Sequence, residues 1–392
     1  GYANAAVGKW HLGFGAGKTE WNKPLRPGPL ELGFDYYFGV PKVNSGFPYV
    51  YVENDGIVGY DPADPLVFGK PPFSKTPTFP HAAGNKSPNR FSGAKNAHEI
   101  YHDERIATTL VEKSVKWISG NSRTERDSLP EAARRADAGA SGKEKPFFHY
   151  LSTTNIHHPF TPAPRFKGTS QCGLYGDFIH ELDWMVGEIL KCLDDNGLSD
   201  NTLVIFTSDN GGMFNTGGQD AFKVGHRQNG DLLGFKFGAW EGGHRVPFVA
   251  KWPGRIEPGS VSEQLICNVD MLASFAALTG QAVEKKQLAD SVNILPALVG
   301  EPTVPLREHL VLAPKNATHL TLRKGKWVYI RARGSGGFKG GPGTHAAGGP
   351  ACTSFVGSEN SDIVNGKIKP DAPPAQLYDL KADPRQTKNV YA

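Results

Sequence analysis

Residues 174–212 read LYGDFIHELDWMVGEILKCLDDNGLSDNTLVIFTSDNGG, and the order of patterns within them decides the fold class. Leu174, Phe178, Ile179, Leu182, Met185, Val186, Ile189, Leu190 and Leu193 recur at helical spacing, which predicts an amphipathic helix over about 174–193. Glu181, Asp183 and Glu188 fall on its other face, and Asn196-Gly197 supplies residues that tolerate the left-handed backbone of a helix end. Thr202–Thr207 is then an unbroken β-rich apolar run, which predicts a strand buried on both faces. Similar runs occur at Pro146–Leu151, before the helix, and at Val246–Trp252, after the second strand. Strands alternating with helices predict an α/β fold with a large mixed, mostly parallel sheet flanked by helices.

Moving outward, residues 119–145 are polar, and their charges are mixed in sign, as in a solvated insertion rather than a binding arm. A second amphipathic helix is predicted near Ile266–Leu278. Past Val304 the pattern changes to short strand-like pieces. Leu320–Arg323, a turn at Lys324-Gly325, and Lys326–Ile330 read as a hairpin, and Arg333–Pro350 is a Gly-rich loop. The expected organisation is a large domain over 1–303 and a smaller C-terminal antiparallel-sheet subdomain over 304–392.

Bulk composition narrows the class further. Over 392 residues, hydrophobic content of 39% and charged content of 21% are those of a globular chain, while 47 Gly and 30 Pro predict many turns and long ordered loops. A net charge of +4 suits an anionic substrate and equally suits an ordinary surface. No apolar run is long enough to span a bilayer, and neither a nucleic acid nor a membrane span is expected. Cys172, Cys192, Cys267 and Cys352 form no C-x-x-C pair. Asn85 and Asn316 head N-x-S/T triplets that a secreted chain could carry glycosylated, although Pro88 makes the first a poor acceptor.

Four clusters carry chemistry. In Gly8-Lys9-Trp10-His11-Leu12-Gly13 an extended backbone would point Lys9 and His11 to one side, ammonium beside imidazole; the alternative is a surface strand with a structural Trp. Asn155-Ile156-His157-His158-Pro159 follows a strand, and His157 has the H-x-P spacing of a histidine held for acid–base work, or either histidine is structural. Ser208-Asp209-Asn210-Gly211-Gly212 offers a carboxylate and an amide oxygen, both hard ligands of the kind Ca²⁺ takes, or else an Asx turn. Lys236, between aromatics and glycines, could meet a buried anion or snorkel over apolar surface, and Glu241 with Arg245 could be a structural ion pair. His226, Asn229, His244 and the loop near Gly334–Gly349 are polar, flexible candidates for the rim of a site.

Taken in order, these clusters resemble the sulfatase family, of the arylsulfatase and N-acetylgalactosamine-6-sulfatase type within the alkaline phosphatase superfamily. The G-Y…G-K-W-H-L-G run from Gly1 to Gly13, the helix–strand–D-N-G-G segment, and the L-Y-D-L-x-x-D-P of Leu377–Pro384 carry the likeness. It implies hydrolysis of sulfate monoesters on a sulfated saccharide or aryl sulfate, in a secreted, periplasmic or lysosomal setting. It also implies a formylglycine nucleophile, made by a dedicated maturation enzyme from a Cys or Ser in C-x-P-x-R. Carried over by motif, Lys9 and Lys236 neutralise sulfate oxygens, His11 hydrogen-bonds the nucleophile, and His157 serves the leaving oxygen. Asp209 and Asn210 hold Ca²⁺.

No cysteine here lies in C-x-P-x-R, and Ser87-Pro88-Asn89-Arg90 has its Pro one place early. The early Asp-Asp pair that completes the family's Ca²⁺ shell is missing as well. The expectation is therefore an N-terminally incomplete chain, lacking a central strand and inactive by itself, with its nucleophile upstream. The alternatives are a phosphate or phosphonate ester hydrolase of the same superfamily, or an inactive relative that binds sulfated glycans.

Overall fold

In the computed structural model, residues 1–43, 48–68, 91–121 and 145–391 are described. Most of the polar insertion at 119–145, the Asn85 triplet and the Ser87–Arg90 stretch lie outside them. The chain divides into two units, Gly1–Ser199 and Asp200–Ala392.

Five strands organise the first unit: β1, Ala3–Lys9; β2, Tyr36–Val40; β3, Val52–Glu53; β4, Gly56–Ile57; and β5, Phe147–Ser152. Their spatial order is β4-β3-β2-β1-β5. The sheet is mixed: β1 runs parallel to both β2 and β5, whereas β2–β3 and β3–β4 are antiparallel. Small residues explain how closely β1 is flanked. A Cβ on Gly8 would stand 1.9 Å from the Ser152 carbonyl oxygen, and one on Gly39 would stand 1.7 Å from the Gly8 carbonyl oxygen. Ala5, Ala6 and Val7 are accordingly buried to within 1% of full exclusion, as expected for a strand covered on both faces.

Two helices pack with this sheet, α1 over Ile106–Gly120 and α2 over Gly173–Asp195. Lys113 of α1 spans the sheet face, its Nζ lying 4.4 Å from the Phe38 ring centre and 2.8 Å from Glu53 Oε1. The predicted helix over 174–193 is thus present and slightly longer. It ends as its residues suggest: Gly197 is left-handed at φ 65°, and the Leu198 N–H reaches back to the Leu193 carbonyl at 2.8 Å. Two of its side chains depart from the periodic reading. Leu174 is 49% exposed, while Glu181, assigned to the outer face, is 1% exposed.

In the second unit, β6, Val204–Thr207, follows a 3₁₀ turn and leads to α3, Thr216–Lys223; β7, Phe248–Lys251, and α4, Met271–Leu278, come next. β6 pairs antiparallel with β7 as a two-stranded sheet, so it is not covered on both faces as predicted. Phe206 is 38% exposed and Val249 61% exposed, because two strands alone shield only part of their apolar faces. Within the segment expected to form the C-terminal antiparallel sheet, β8 (His309–Leu312), β9 (Thr321–Lys324), β10 (Trp327–Ile330) and β11 (Gln376–Asp379) pair in that order. The predicted hairpin is β9–β10, turning at Gly325 with φ 55°. Val328, Ile330 and Tyr378 are fully buried against Trp240 in the core of this unit.

Candidate active site

In the first unit the site residues sit beyond the carboxyl ends of two adjacent parallel strands, where α/β sheets collect ligands. Lys9 is the last residue of β1, and Ser152 is the last of β5. The Ser152 hydroxyl donates to the Lys9 carbonyl at 2.6 Å, fastening the two strand ends together. His11 lies two residues further, but strand alternation does not place it beside Lys9. β1 ends at Lys9, and His11 is left-handed at φ 59° with its N–H on the Pro41 carbonyl at 2.9 Å. Its exposed imidazole is therefore set by a turn. Trp10, 9% exposed, packs edge-on against Tyr37 at 5.7 Å, and so the structural reading of that Trp holds.

His157 follows β5 in a loop held from below by α2. The Glu181 carboxylate accepts from Asn155 Nδ2 at 3.0 Å and from the Ala163 N–H at 3.0 Å, bracketing the loop at both ends. Burial pushes this carboxyl above its ordinary value, and the two hydrogen bonds act in the opposite direction. Sequence periodicity missed Glu181, because nothing local distinguishes an inward-facing glutamate from a solvated one. His157 Nδ1 lies 2.7 Å from the His158 carbonyl oxygen, a contact that requires Nδ1 to carry hydrogen. Nε2 is then the nitrogen that can exchange a proton with a substrate. The two histidine rings stack at 4.3 Å.

The second unit holds Asp209, Asn210 and Lys236 on backbone segments packed without side chains between them. The Gly211 N–H donates to the Gly243 carbonyl at 3.0 Å, and the Lys236 N–H donates to the Gly212 carbonyl at 2.9 Å. A Cβ on Gly211 would lie 2.0 Å from the Gly242 oxygen, and one on Gly242 would lie 2.3 Å from the Gly234 oxygen. Gly211 of D-N-G-G and Gly242 of E-G-G are therefore required by this close approach, independently of any ligand. Asn210 donates from Nδ2 to the Gly211 carbonyl at 3.0 Å, which leaves its amide oxygen as the atom to offer a cation. The Lys236 ammonium stands 5.1 Å from the Phe237 ring centre, so the aromatic environment expected for it is present.

Asn229 has a task that its sequence position does not reveal. Its Oδ1 accepts the Gly212 N–H at 2.7 Å, and its Nδ2 donates to the Gly234 carbonyl at 2.9 Å. One amide thus clamps the D-N-G-G loop to the loop of Lys236. His244 is likewise engaged, with Nε2 3.1 Å from the Ala239 oxygen, and burial lowers its pKa. The Gly-rich segment is pinned by Gln219, which accepts the Gly343 N–H at 2.6 Å and donates to the Thr344 carbonyl at 3.1 Å. Glu241 is 1% exposed and meets Arg323 at 3.1 Å and Arg245 at 3.6 Å, the structural ion pair foreseen as one option. In the L-Y-D-L segment, Tyr378 is fully buried and donates to Gln376 Oε1 at 2.8 Å, while Asp379 accepts backbone N–H groups of the following turn. That motif is architectural. Among the described residues no group of three or more His, Cys, Asp or Glu side chains is placed to hold a metal ion.

A family model named Sulfatase matches residues 1–281. An N-acetylgalactosamine-6-O-sulfatase of Bacteroides thetaiotaomicron is 34% identical over 100% of this chain, which covers 71% of that protein. The N-acetylgalactosamine-6-sulfatase of dog is 32% identical over 76% of the chain, and there the match covers 47% of the relative. The chain thus spans about half the length of this mammalian relative. Among solved structures, one from a study of glycosaminoglycan metabolism by Bacteroides thetaiotaomicron superposes with a TM-score of 0.77 at 33% identity, covering 100% of this chain and 76% of that one. A Pseudoalteromonas sulfatase shares the fold, with a TM-score of 0.66 at 21% identity, and covers 100% and 66% respectively.

Proposed function

The chain belongs to the sulfatase family, and we propose that the protein containing it hydrolyses sulfate monoesters carried by a saccharide. The observation that supports this most directly is the nest of glycine backbones that presents Asp209, Asn210 and Lys236 from adjoining loops. Such a nest brings two hard oxygen donors and an ammonium to neighbouring backbone positions, the equipment that an oxyanion substrate requires.

The roles follow from charge and proton accounting. Lys9 and Lys236 neutralise the charge of the non-bridging sulfate oxygens, which otherwise repel an incoming nucleophile. His11 donates a hydrogen bond to the nucleophile. His157 keeps Nδ1–H on the His158 carbonyl and uses Nε2 to protonate the departing alcohol oxygen. Asp209 and Asn210 suit Ca²⁺ by donor type, a carboxylate and an amide oxygen, and the remaining ligands of its usual six to eight come from elsewhere. When bound, the cation supplies Lewis-acid charge to the sulfate oxygens. None of Cys172, Cys192, Cys267 and Cys352 stands in C-x-P-x-R, so the formylglycine nucleophile belongs to sequence outside these residues. An N-acetylgalactosamine 6-sulfate is the substrate that the first relative's name suggests.

The test uses the protein with its nucleophile-bearing segment. Sulfate release from sulfated N-acetylgalactosamine saccharides should be seen by ion chromatography, and His157→Ala should lower kcat by about 10²–10⁴-fold. Release of phosphate from phosphate monoesters with no sulfate release from any sulfated sugar would overturn the reading.

A further inference from the structure

Lys236 stands in a turn whose third residue departs from ordinary turn chemistry. The Gly238 N–H donates to the Phe235 carbonyl at 3.0 Å, which closes a four-residue turn over Phe235–Gly238. Phe237, the third residue, is left-handed at φ 73°. A turn of this kind takes glycine or asparagine at that place, because a Cβ crowds the left-handed backbone. Here the place is filled by a phenylalanine. A bulky residue keeps such a conformation only where its surroundings over-determine it.

The surroundings do so from several sides. Ahead of the turn, the Phe235 ring stacks at 4.5 Å on Phe214, which is 1% exposed. The Lys236 N–H is fixed on the Gly212 carbonyl, and the Phe237 carbonyl accepts the Lys315 N–H at 3.0 Å. The Phe237 ring meets Phe338 edge to face at 4.7 Å, and the Lys315 ammonium lies 4.2 Å from the Phe338 ring centre. A Cβ on Gly337 would stand 3.1 Å from the Gly238 nitrogen, so the segment carrying Phe338 is pressed against the turn. Phe237 itself remains 37% exposed, and burial alone does not account for an aromatic side chain there. Its ring does offer a π face to its neighbour. The Lys236 ammonium lies over that ring at 5.1 Å from the centre, within the roughly 6 Å reach of a cation–π attraction. A lysine stem is long and flexible, and an ammonium drawn to a fixed ring keeps fewer of its rotamers.

We infer that Phe237 is a positioning residue for Lys236: the left-handed turn, braced by Phe338 and Lys315, sets the ring beneath the ammonium so that its charge is in place before an oxyanion arrives. The inference rests on the role proposed for Lys236 at the sulfate group and adds to it a residue that acts through that lysine.

A double-substitution cycle in the protein with its nucleophile-bearing segment tests it. Phe237→Leu keeps an apolar side chain and removes the π face. It should lower kcat/KM for a sulfated N-acetylgalactosamine saccharide about tenfold, whereas Phe237→Tyr should stay within about twofold of the unaltered protein. In a Lys236→Ala protein the same Phe237→Leu change should cost no more than about twofold, because the group it acts through is gone. Phe237→Gly suits the left-handed backbone, so it should fold, with thermal unfolding recorded beside the rates, and should lose activity as Phe237→Leu does. A Phe237→Leu loss undiminished in the absence of Lys236, or unchanged kcat/KM in both Phe237→Leu and Phe237→Gly, would overturn the positioning role. If no sulfate ester is cleaved, the sulfatase reading falls, and the same cycle is read by calorimetric binding of inorganic sulfate and of inorganic phosphate. An affinity loss on Phe237→Leu that disappears in Lys236→Ala then leaves the positioning role standing. Equal losses with and without Lys236, or no binding of either anion, would remove it.

Discussion

Asn229 shows how much one amide can organise. It bonds one loop through its oxygen and another through its nitrogen, so the two halves of the side chain are separable by substitution. Asn229→Asp keeps the acceptor for Gly212 and loses the donor to Gly234; Asn229→Ala loses both. A partner one shell away from a metal ligand typically changes metal affinity by about 10–100-fold. Calorimetric titration should therefore show Ca²⁺ binding weakened to that extent in Asn229→Ala, with Asn229→Asp between it and the unaltered protein. Unaltered Ca²⁺ affinity in Asn229→Ala would show that the clamp does not act on Asp209 and Asn210. Glu181 belongs to the same class of residue. Helical spacing put it on a polar face, whereas the fold uses its carboxylate to hold Asn155 and Ala163 around His157.

At the scale of elements, β5 carries a titratable group into the sheet. His149 is enclosed beside Trp117, and its Nε2 is buried with no hydrogen-bond partner among the described residues. Burial lowers its pKa from 6.5 to about 4. As pH falls through 6.5 the unfolded chain takes up a proton that the folded chain refuses, so stability declines between pH 6.5 and about 4. The full loss amounts to roughly 3 kcal/mol once both states are protonated. Urea midpoints at pH 7 and pH 4.5 should show a clear decline that His149→Leu reduces. An unchanged pH dependence in that variant would mean that His149 is not the sensing group. β6 and β7 carry a different lesson. Their apolar runs were legible as strands, but the number of neighbours each would have was not, since a run of β-branched residues does not state its own partners.

For the whole molecule, the positive balance has a consequence if the substrate is a sulfated polymer. With a net charge of +4 and Lys9, Lys18, Lys42 and Lys236 all contributing positive charge, encounter with a polyanion should be electrostatically assisted. KM for a sulfated polysaccharide should rise several-fold between about 0.05 and 0.5 M NaCl, as the Debye length contracts. KM for a small aryl sulfate should change less. A polymer KM indifferent to salt would count against long-range steering.

The sequence alone determined the element types, because periodicity and apolar runs are local properties. The helix over α2, the hairpin of β9 and β10, and the motif clusters around Lys9, His157, Asp209 and Lys236 were all readable from neighbours within a few residues. Only the tertiary structure decided what those motifs rest on. The left-handed turn at His11 comes from the end of β1, and the first glycine of D-N-G-G, Gly211, is demanded by a backbone more than thirty positions away. The tasks of Glu181 and Asn229 depend on hydrogen-bond partners that a linear pattern does not contain. Close packing and buried hydrogen bonds join distant parts of a chain, so their requirements become visible only when the chain is folded.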